Sequence, residues 1–445
     1  HGVFYFYALV PGYLLGGGSP IIAAYWLAFL NALTIFVVFY LTWLMTKKAG
    51  AALLASFLFA ISWEATQYAT WMSNPTLGVL TVPLVYLGLW MWLKEKRLWG
   101  TVVCAVGLGL SIQAEVFLLY HAVPIAIWLW IMRKDVVRAD LLKFAAVLLA
   151  VLSSMIAAEL KFGFRGLSGV AQLFITQDAI VLSRGLGDFL LLYLNQLGRV
   201  FAYNVYPGNV GYGGVFVLVL ILLSIFSWKK GEMSWKPFLA IWLLSHIAVV
   251  SVGGTSTPFL LVGIGTAVSI FVAIFLYNWW TGSTKWLAIF VLAVIVFSNM
   301  TMIMKENPKG QTIFAIQKDM ILKRQLAAID YTYQEVNGEA FSINTLTSPL
   351  WINIVWTYLY NWYGLSKYGY VPEWHGHNQI GQLDSLPPTK NDTLQYFLIV
   401  EPMAGIPARY LPETISEEDA QSDLVEEKSF GEIVVQKRVR KVQRE

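Results

Sequence analysis

The sequence contains little charge and a single cysteine. Only 13% of its 445 residues are charged, whereas 57% are hydrophobic, and the mean hydropathy is +0.59. A soluble globular protein has about 25% charged residues, and a core of ordinary size would not bury so many apolar side chains. The composition therefore excludes a soluble globular protein. The lone Cys104 also excludes a disulfide framework and a thiolate metal site.

The charge that is present is unevenly distributed along the chain. Residues 1 to 300 contain 17 Lys and Arg and 9 Asp and Glu, and the remaining residues contain 14 and 18. Apolar stretches long enough to cross a hydrocarbon core of about 30 Å recur only in the first part. We therefore predict a transmembrane domain over residues 1–303 and a soluble domain over residues 304–445.

Ten apolar stretches in the first part predict membrane-spanning helices. They are residues 20–46, 50–63, 76–93, 98–113, 117–132, 141–160, 213–228, 237–252, 257–277 and 285–303. Two further stretches, residues 2–16 and 187–206, are apolar and rich in Tyr and Phe, and we expect them to lie at the outer membrane interface. The predicted fold class is a mainly α, polytopic helix bundle followed by a small α/β domain.

Basic clusters set the expected orientation of this bundle. They follow every second predicted span, at residues 47–48, 94–97, 133–138 and 229–236. Cytoplasmic loops are enriched in Lys and Arg, so we expect these clusters in the cytoplasm and the other loops and the soluble domain outside. Topology thus accounts for the net charge of +4, and we expect the lipid bilayer, not nucleic acid, as a partner.

The last 142 residues predict a small α/β domain. We expect a helix near residues 310–336, strands at 339–345, 394–400 and 431–437, and helix-permissive acidic sequence over 413–427. Six aromatic residues between Tyr358 and Tyr370 are explained by an aromatic core or by sugar stacking, and the core is favoured. The pattern Glu373-x-His375-x-His377 could hold a metal, but such short spacings are usual in surface loops.

The loops assigned to the outer face contain polar residues that a membrane domain does not need for packing. Ionisable groups near a bilayer are costly and tend to be functional. For any single one, such as Glu64 or Glu159, extension into the lipid headgroups is an equal explanation. The residues are His1, Glu64, Asn74, Gln113, Glu115, Glu159, Lys161, Arg165, Asp178, Arg184 and Asp188.

Several short motifs together resemble a known family. They are His1-Gly2-Val3-Phe4-Tyr5-Phe6-Tyr7 with Pro11, the loop Gly16-Gly17-Gly18-Ser19-Pro20, Asn74-Pro75, the segment from Gly107 to Glu115, the segment from Glu159 to Phe164, Tyr360-Asn361-Trp362-Tyr363-Gly364, and Ile399-Val400-Glu401-Pro402. This set resembles bacterial membrane glycosyltransferases of the GT-C superfamily, relatives of the dolichyl-phosphate-mannose-protein mannosyltransferases. Each motif is weakly specific, but together they span nearly the whole chain.

The resemblance implies transfer of a sugar from a polyprenyl-phosphate donor to an acceptor on the outer face of a bacterial plasma membrane. The family's catalytic base is a carboxylate just upstream of the motif that begins here at His1. We therefore expect that this sequence lacks an N-terminal helix and part of the first outer loop, and that the chain as it stands is inactive. The sugar, the acceptor and the length of the carrier are not indicated.

The resemblance also suggests which residues contact the substrates. The candidates for sugar or acceptor contacts are His1, Tyr5, Asn74, Gln113, Glu115 and Glu159. Asn74 is equally explained as a helix N-cap. The candidates for the phosphate are Arg184, Lys161 and Arg165; Arg184, in a loop with Gly185 and Gly187, is slightly favoured, although a structural role is as well supported. No fixed cofactor is expected, and these candidates show no metal-ligand spacing, although some members of the superfamily use a divalent metal.

Two other functions fit the same composition. A polytopic transporter would also have many spans with polar groups, but it is expected to show internal repeats and polar groups near the membrane midplane, and neither pattern is present. A non-catalytic, glycan-binding membrane subunit is the other alternative, with the C-terminal domain as a binding module or lid. A single outer active site requires His1, Asn74, Gln113 and Glu115 to lie together.

Overall fold

A computed structural model describes residues 2–166, 168–169, 185–226, 228, 233–247, 258–310, 312–313, 317, 319–376, 385–389 and 394–441. The chain divides into two compact units, His1–Asn307 and Pro308–Glu445. The last apolar helix of the first unit continues past the predicted end at residue 303 and stops at Glu306.

The first unit is a bundle of apolar helices. Its α-helices are α1 (Phe4–Leu15), α2 (Pro20–Ala32), α3 (Thr34–Thr46), α4 (Ala49–Ala60), α5 (Trp63–Ala69), α6 (Gly78–Leu93), α7 (Gly100–Ala114), α8 (Ala122–Ile131), α9 (Arg138–Lys161), α10 (Leu186–Asn204), α11 (Val210–Phe226), α12 (Trp235–Leu244), α13 (Ile264–Thr281) and α14 (Lys285–Glu306). Short 3-10 helices cover Asn74–Leu77, Val116–His121, Pro258–Leu261 and Asn307–Lys309.

Each of the ten predicted spans contains a helix, but the helices differ in length. Within the described part of the chain, five helical segments are long and apolar enough to cross a membrane, and a bent pair makes a sixth. That pair is α4 and α5, which meet at an angle of 59°. The predicted span 50–63 is therefore correct only for α4, because the helix breaks at Ile61 and Ser62 and a separate polar helix follows.

Glycines allow two of these helices to pack backbone against backbone. A Cβ added at Gly88 of α6 would overlap the backbone nitrogen of Cys104 in α7, and one added at Gly107 would lie 2.6 Å from the nitrogen of Val85. Small residues permit such close approach between helices in a membrane, where van der Waals packing replaces the hydrophobic effect as the force for association. The pairing fixes the position of the C-terminal end of α7.

Three of the basic loops, at residues 47–48, 94–97 and 133–138, meet at one end of the bundle. Lys47, after α3, pairs with Glu95 after α6 at 2.9 Å, and Lys96 lies 3.8 Å from Asp135 after α8. Loops that the charge pattern assigns to one side of the membrane are therefore close to one another. The start of α6 and the end of α7 lie at the opposite end of the bundle, because both helices have their other end at the loop of residues 94–99.

The second unit contains a five-stranded mixed sheet. Its strands are β1 (Ser342–Leu346), β2 (Glu373–Trp374), β3 (Gln395–Val400), β4 (Ser422–Phe430) and β5 (Ile433–Arg440), in the order β2-β1-β3-β5-β4. Strand β1 is parallel to β2 and β3, and β5 is antiparallel to β3 and β4. The helices are α15 (Leu322–Val336), α16 (Ile354–Leu359), α17 (Leu365–Tyr368) and α18 (Tyr410–Gln421), with a π-helix at Tyr360–Gly364.

Several boundaries of this unit differ from the prediction. The strands predicted at 339–345 and 431–437 are shifted to Ser342–Leu346 and Ile433–Arg440, and two further differences are larger. The acidic stretch 413–427 is not one helix, because α18 ends at Gln421 and β4 begins at Ser422. Pairing with β5 explains the change, since residues 422–430 form an antiparallel ladder with β5 from Ser422 opposite Arg440 to Phe430 opposite Ile433. The helix predicted near 310–336 begins only at Leu322.

Candidate functional site

Short, irregular elements lie at the end of the bundle away from the basic loops. We call them the irregular layer: α5 and the 3-10 helices Asn74–Leu77, Val116–His121 and Pro258–Leu261. The 3-10 helix Asn74–Leu77 directly precedes α6, and the 3-10 helix Val116–His121 follows α7. Each helix end leaves backbone N–H and C=O groups without a partner inside the helix, so polar groups at this end of the bundle can bond to other groups. Most of the candidate residues lie at this end.

Gln113 joins three helices at this layer. Its side-chain oxygen accepts a hydrogen bond from the backbone N–H of Phe4 at 3.2 Å, and its backbone carbonyl accepts one from Gly2 at 2.8 Å. Its amide nitrogen donates to the carbonyl of Val151 in α9. Gln113 is buried, so its side chain fixes the start of α1 against α7 and α9.

Tyr5 and Asn74 lie close to this contact. Tyr5 packs in a cluster with Leu77 and Ala114, so α1, the 3-10 helix Asn74–Leu77 and the end of α7 touch one another. Asn74 is half-buried and is the first residue of its helix, whereas Ser73 is the N-cap. The N-cap explanation for Asn74 is therefore wrong.

Glu115 follows directly on the same turn. It is 4% exposed, and its backbone N–H donates to Ser111 at 2.9 Å. The structure thus brings Tyr5, Asn74, Gln113 and Glu115 to one place. His1 and Arg184 lie outside the described residues. The first described residue, Gly2, is hydrogen-bonded to the carbonyl of Gln113. The roles of these residues in substrate binding stay predictions.

The remaining candidates lie at the end of α9 and are not joined to Gln113. Glu159 is eight residues beyond Val151, about 12 Å along the helix axis, and it is half-buried. Its carboxylate lies against Gly166, where an added Cβ would overlap it. Lys161 and Arg165 are exposed.

A buried carboxylate in α5 has more contacts than the sequence suggested. Glu64 is 5% exposed and accepts a hydrogen bond from the side-chain nitrogen of Asn204, at the end of α10. A Cβ at Gly265 of α13 would overlap both groups, so only glycine leaves room for this pair. Extension of Glu64 into the headgroups is therefore wrong; its carboxylate points into the bundle.

A chain of amides extends from Asn204 into α14. Asn299 donates to the carbonyls of Val205 at 3.2 Å and Asn204 at 3.5 Å, and its side-chain oxygen accepts from the backbone of Trp63 at 2.9 Å. We call Glu64, Asn204 and Asn299 the Glu64 network. The sequence signal that could have drawn attention to it is the position of Asn204 and Asn299 within apolar stretches.

In the described part of the second unit, His375 is engaged by other side chains and the predicted aromatic residues pack in the core. The Nδ1 atom of His375 contacts Arg440 at 2.9 Å and its Nε2 contacts Gln421 at 3.1 Å, so both nitrogens are engaged; His377 lies outside the described residues. Among the residues that the structure describes, no three His, Cys, Asp or Glu side chains are placed to share a metal. Tyr360 is fully buried, and Tyr358, Trp362, Tyr363, Tyr368 and Tyr370 pack against the same core.

Comparison with known proteins bears on the fold. No protein-family model and no curated protein matches the sequence. The crystal structure of ArnT from Cupriavidus metallidurans in the apo state is similar with a TM-score of 0.58 and 12% identity, covering 98% of this chain and 87% of the ArnT chain. The structure of ArnT from the same organism bound to undecaprenyl phosphate gives a TM-score of 0.57 with the same identity and coverage. The chain has a GT-C fold.

The GT-C fold confirms the predicted fold class. The structure is 69% helical, with several apolar helices and a small C-terminal sheet. The chain is an integral membrane protein. At 12% identity the likeness to ArnT concerns the fold, so donor, acceptor and catalytic residues belong to the proposal that follows.

Proposed function

We propose that the chain is a membrane glycosyltransferase that moves a sugar from a polyprenyl-phosphate donor to an acceptor on the outer face of a bacterial plasma membrane. The observation that carries this proposal is the GT-C fold over 98% of the chain. The ArnT structure with undecaprenyl phosphate supplies a lipid carrier of the proposed class on the same fold. The cluster of polar side chains at the irregular layer supports the location.

The proposed reaction needs a base and a place for the phosphate. The acceptor hydroxyl attacks the anomeric carbon, the bond to the carrier phosphate breaks, and the hydroxyl proton passes to a carboxylate. We propose that this carboxylate belongs to the first outer loop, as the resemblance to the family implies. In this proposal Glu115 and Asn74 bind sugar or acceptor hydroxyls, together with His1, Tyr5 and Glu159. The phosphate is bound by the cations Lys161, Arg165 and Arg184.

Gln113 has a different proposed role from its neighbours. Its amide is occupied by Phe4 and Val151, so it positions α1 without contacting the donor. The Glu64 network is likewise enclosed, and we propose that it holds α5 and α10 together below the site. The C-terminal unit is proposed to lie outside the membrane as a lid or acceptor-binding module.

The test is a transfer assay on the purified protein. The purified protein is reconstituted into vesicles with radiolabelled polyprenyl-phosphate sugars, and label leaving the lipid fraction is measured. We expect transfer, and we expect Glu115→Gln to lower kcat/KM about 10- to 100-fold, because a hydrogen bond to a charged group contributes about 1.5–3 kcal/mol. Asp140→Asn, in the first turn of α9 near the basic loops, is the control, and its kcat/KM should match that of the native protein.

Two outcomes would replace this proposal. Uptake of labelled sugar into the vesicles without cleavage from the carrier would favour the transporter. Binding of glycan without transfer or uptake would favour the non-catalytic subunit.

A further inference from the structure

An apolar groove of about 520 Å³ lies between α14 and the turn that follows α10. The turn contributes Tyr206 and Pro207, and α14 contributes Phe290, Ala293, Phe297 and Met302. We call it the Tyr206 groove. Its volume falls within the range of about 300–1,000 Å³ usual for small-molecule sites. The residues of α1 and α7 that form the candidate active site do not line it.

The groove faces the hydrocarbon region. The segment Lys285–Lys309 is one of the membrane spans, and only 22% of its most apolar window is buried inside the protein. Phe290 and Phe297 are 66% and 76% exposed. From Phe290 to Met302 the groove extends about 18 Å along the helix axis. At this depth of a bilayer the space beside a helix is filled by lipid chains, so the groove is open to them.

A cation lies just beyond one end of the groove. Lys305 follows Met302 by three residues and Thr301, which also lines the groove, by four, so the three side chains share one face of α14. The Lys305 side chain is 67% exposed, and its ion pair with Glu306 is long, at 3.9 Å. None of the residues that line the groove is charged. Apolar surface that ends at an exposed ammonium group complements a lipid with a phosphate at its head.

We propose that the Tyr206 groove binds one acyl chain of an anionic bilayer phospholipid whose phosphate pairs with Lys305. The groove also adjoins the Glu64 network. Ser298, which lines the groove, donates to the carbonyl of Val205 at 3.3 Å, and Asn299 donates to the same carbonyl. A bound chain packs against the turn that ends α10 and so holds Asn204 on Glu64.

Native mass spectrometry of the full chain tests the proposal. The protein is reconstituted with phosphatidylglycerol or phosphatidylcholine, extracted into detergent, and scored for retained lipid. Ala293→Trp fills the groove, and Leu287→Trp adds the same side chain at another exposed position of α14, outside the groove. We expect one phosphatidylglycerol per native chain, about tenfold less in Ala293→Trp and no change in Leu287→Trp.

Lys305→Gln gives a second variant that leaves the groove intact. We expect it to reduce the preference for phosphatidylglycerol over phosphatidylcholine about fivefold, since one basic residue near an anionic surface contributes about 1 kcal/mol. Equal lipid retention in Ala293→Trp and the native chain would overturn the proposal. Displacement of phosphatidylglycerol by equimolar undecaprenyl phosphate would also overturn it, because the groove would then belong to a polyprenyl carrier. Neither outcome depends on sugar transfer.

Discussion

Glu64 is a carboxylate in an apolar part of the bundle, and its contacts explain how it is tolerated there. Asn204 donates to it, Gly265 leaves room for both, and Asn299 fixes the backbone on either side. A buried polar group without a partner costs about 1–3 kcal/mol. The stability of this region therefore depends on the amide of Asn204.

Asn204→Ala should destabilise the protein more than Glu64→Gln does. The alanine leaves a buried carboxylate without its donor and should lower the free energy of unfolding by about 1.5–3 kcal/mol. In Glu64→Gln the amide oxygen still accepts from Asn204, so the loss should be smaller. Thermal unfolding of the detergent-solubilised chain measures both. Equal unfolding midpoints for Asn204→Ala and the native chain would show that the hydrogen bond from Asn204 does not stabilise the protein.

His375 predicts a pH dependence in the second unit. Burial, and then the neighbouring Arg440, hold the pKa of its imidazole below the usual 6.5. The folded state disfavours the charged imidazole, so its contribution to stability is present above about pH 6.5 and is lost as the pH falls through the folded pKa. We expect the native chain to lose thermal stability relative to His375→Gln between pH 7 and 5. Parallel curves for the two proteins would contradict this assignment.

Only part of the site could be predicted from single residues. Asn74, Gln113 and Glu115 were selected as polar residues of the outer loops and Tyr5 through the family resemblance, and the four lie together. The pair of Glu64 and Asn204 was missed, because the two residues are 140 positions apart and no local pattern connects them. A lone carboxylate at the rim of a membrane is equally explained by solvation, and only the fold shows that it points inward.

At the scale of helices and strands, hydrophobicity predicted that a helix exists in each apolar run better than it predicted where each helix begins and ends. Each of the ten apolar runs contains a helix, because a run of that length must satisfy its backbone internally in lipid. The predicted span 50–63 ran past the break at Ile61 and Ser62, since one serine does not interrupt an apolar average, and the short helix α5 was not predicted. Strand β4 was missed because its acidic sequence favours a helix, whereas the strand depends on its pairing with β5.

The packing of α6 on α7 gives a prediction at this scale. Gly88→Ala would place a methyl group on the backbone of Cys104, where no side chain can move aside. We expect a loss of at least about 1–3 kcal/mol from overpacking, seen as a lower unfolding temperature and a broader elution profile. Gly187→Ala is the matched control in α10, because nothing lies within 4 Å of its added Cβ. An unfolding temperature of Gly88→Ala equal to that of the control would disprove the close packing of α6 on α7.

At the scale of the whole molecule, the path of the chain determines where the first unit ends. Lys48 lies over the ring of Tyr277, 5.5 Å from its centre, so the end of α13 is near the basic loops. Helix α14 begins four residues after α13 and runs for 22 residues, about 33 Å. It delivers Asn307 to the irregular layer, where its side chain bonds Thr66 at 3.0 Å and Gln67 at 2.9 Å. The chain leaves the first unit at the end opposite the basic loops.

This path and the charge pattern together predict the side of the membrane on which the second unit lies. Basic loops favour the cytoplasm, so residues after Asn307 should be outside. Cys104 is 0% exposed and should not react with a maleimide, so the native chain should give no labelling. In intact cells a membrane-impermeant maleimide should label Glu417→Cys, in the second unit, and should label Lys134→Cys, in a basic loop, only after permeabilisation; both positions are exposed. Labelling of Lys134→Cys alone would reverse the orientation and, with it, the face on which the proposed transfer takes place.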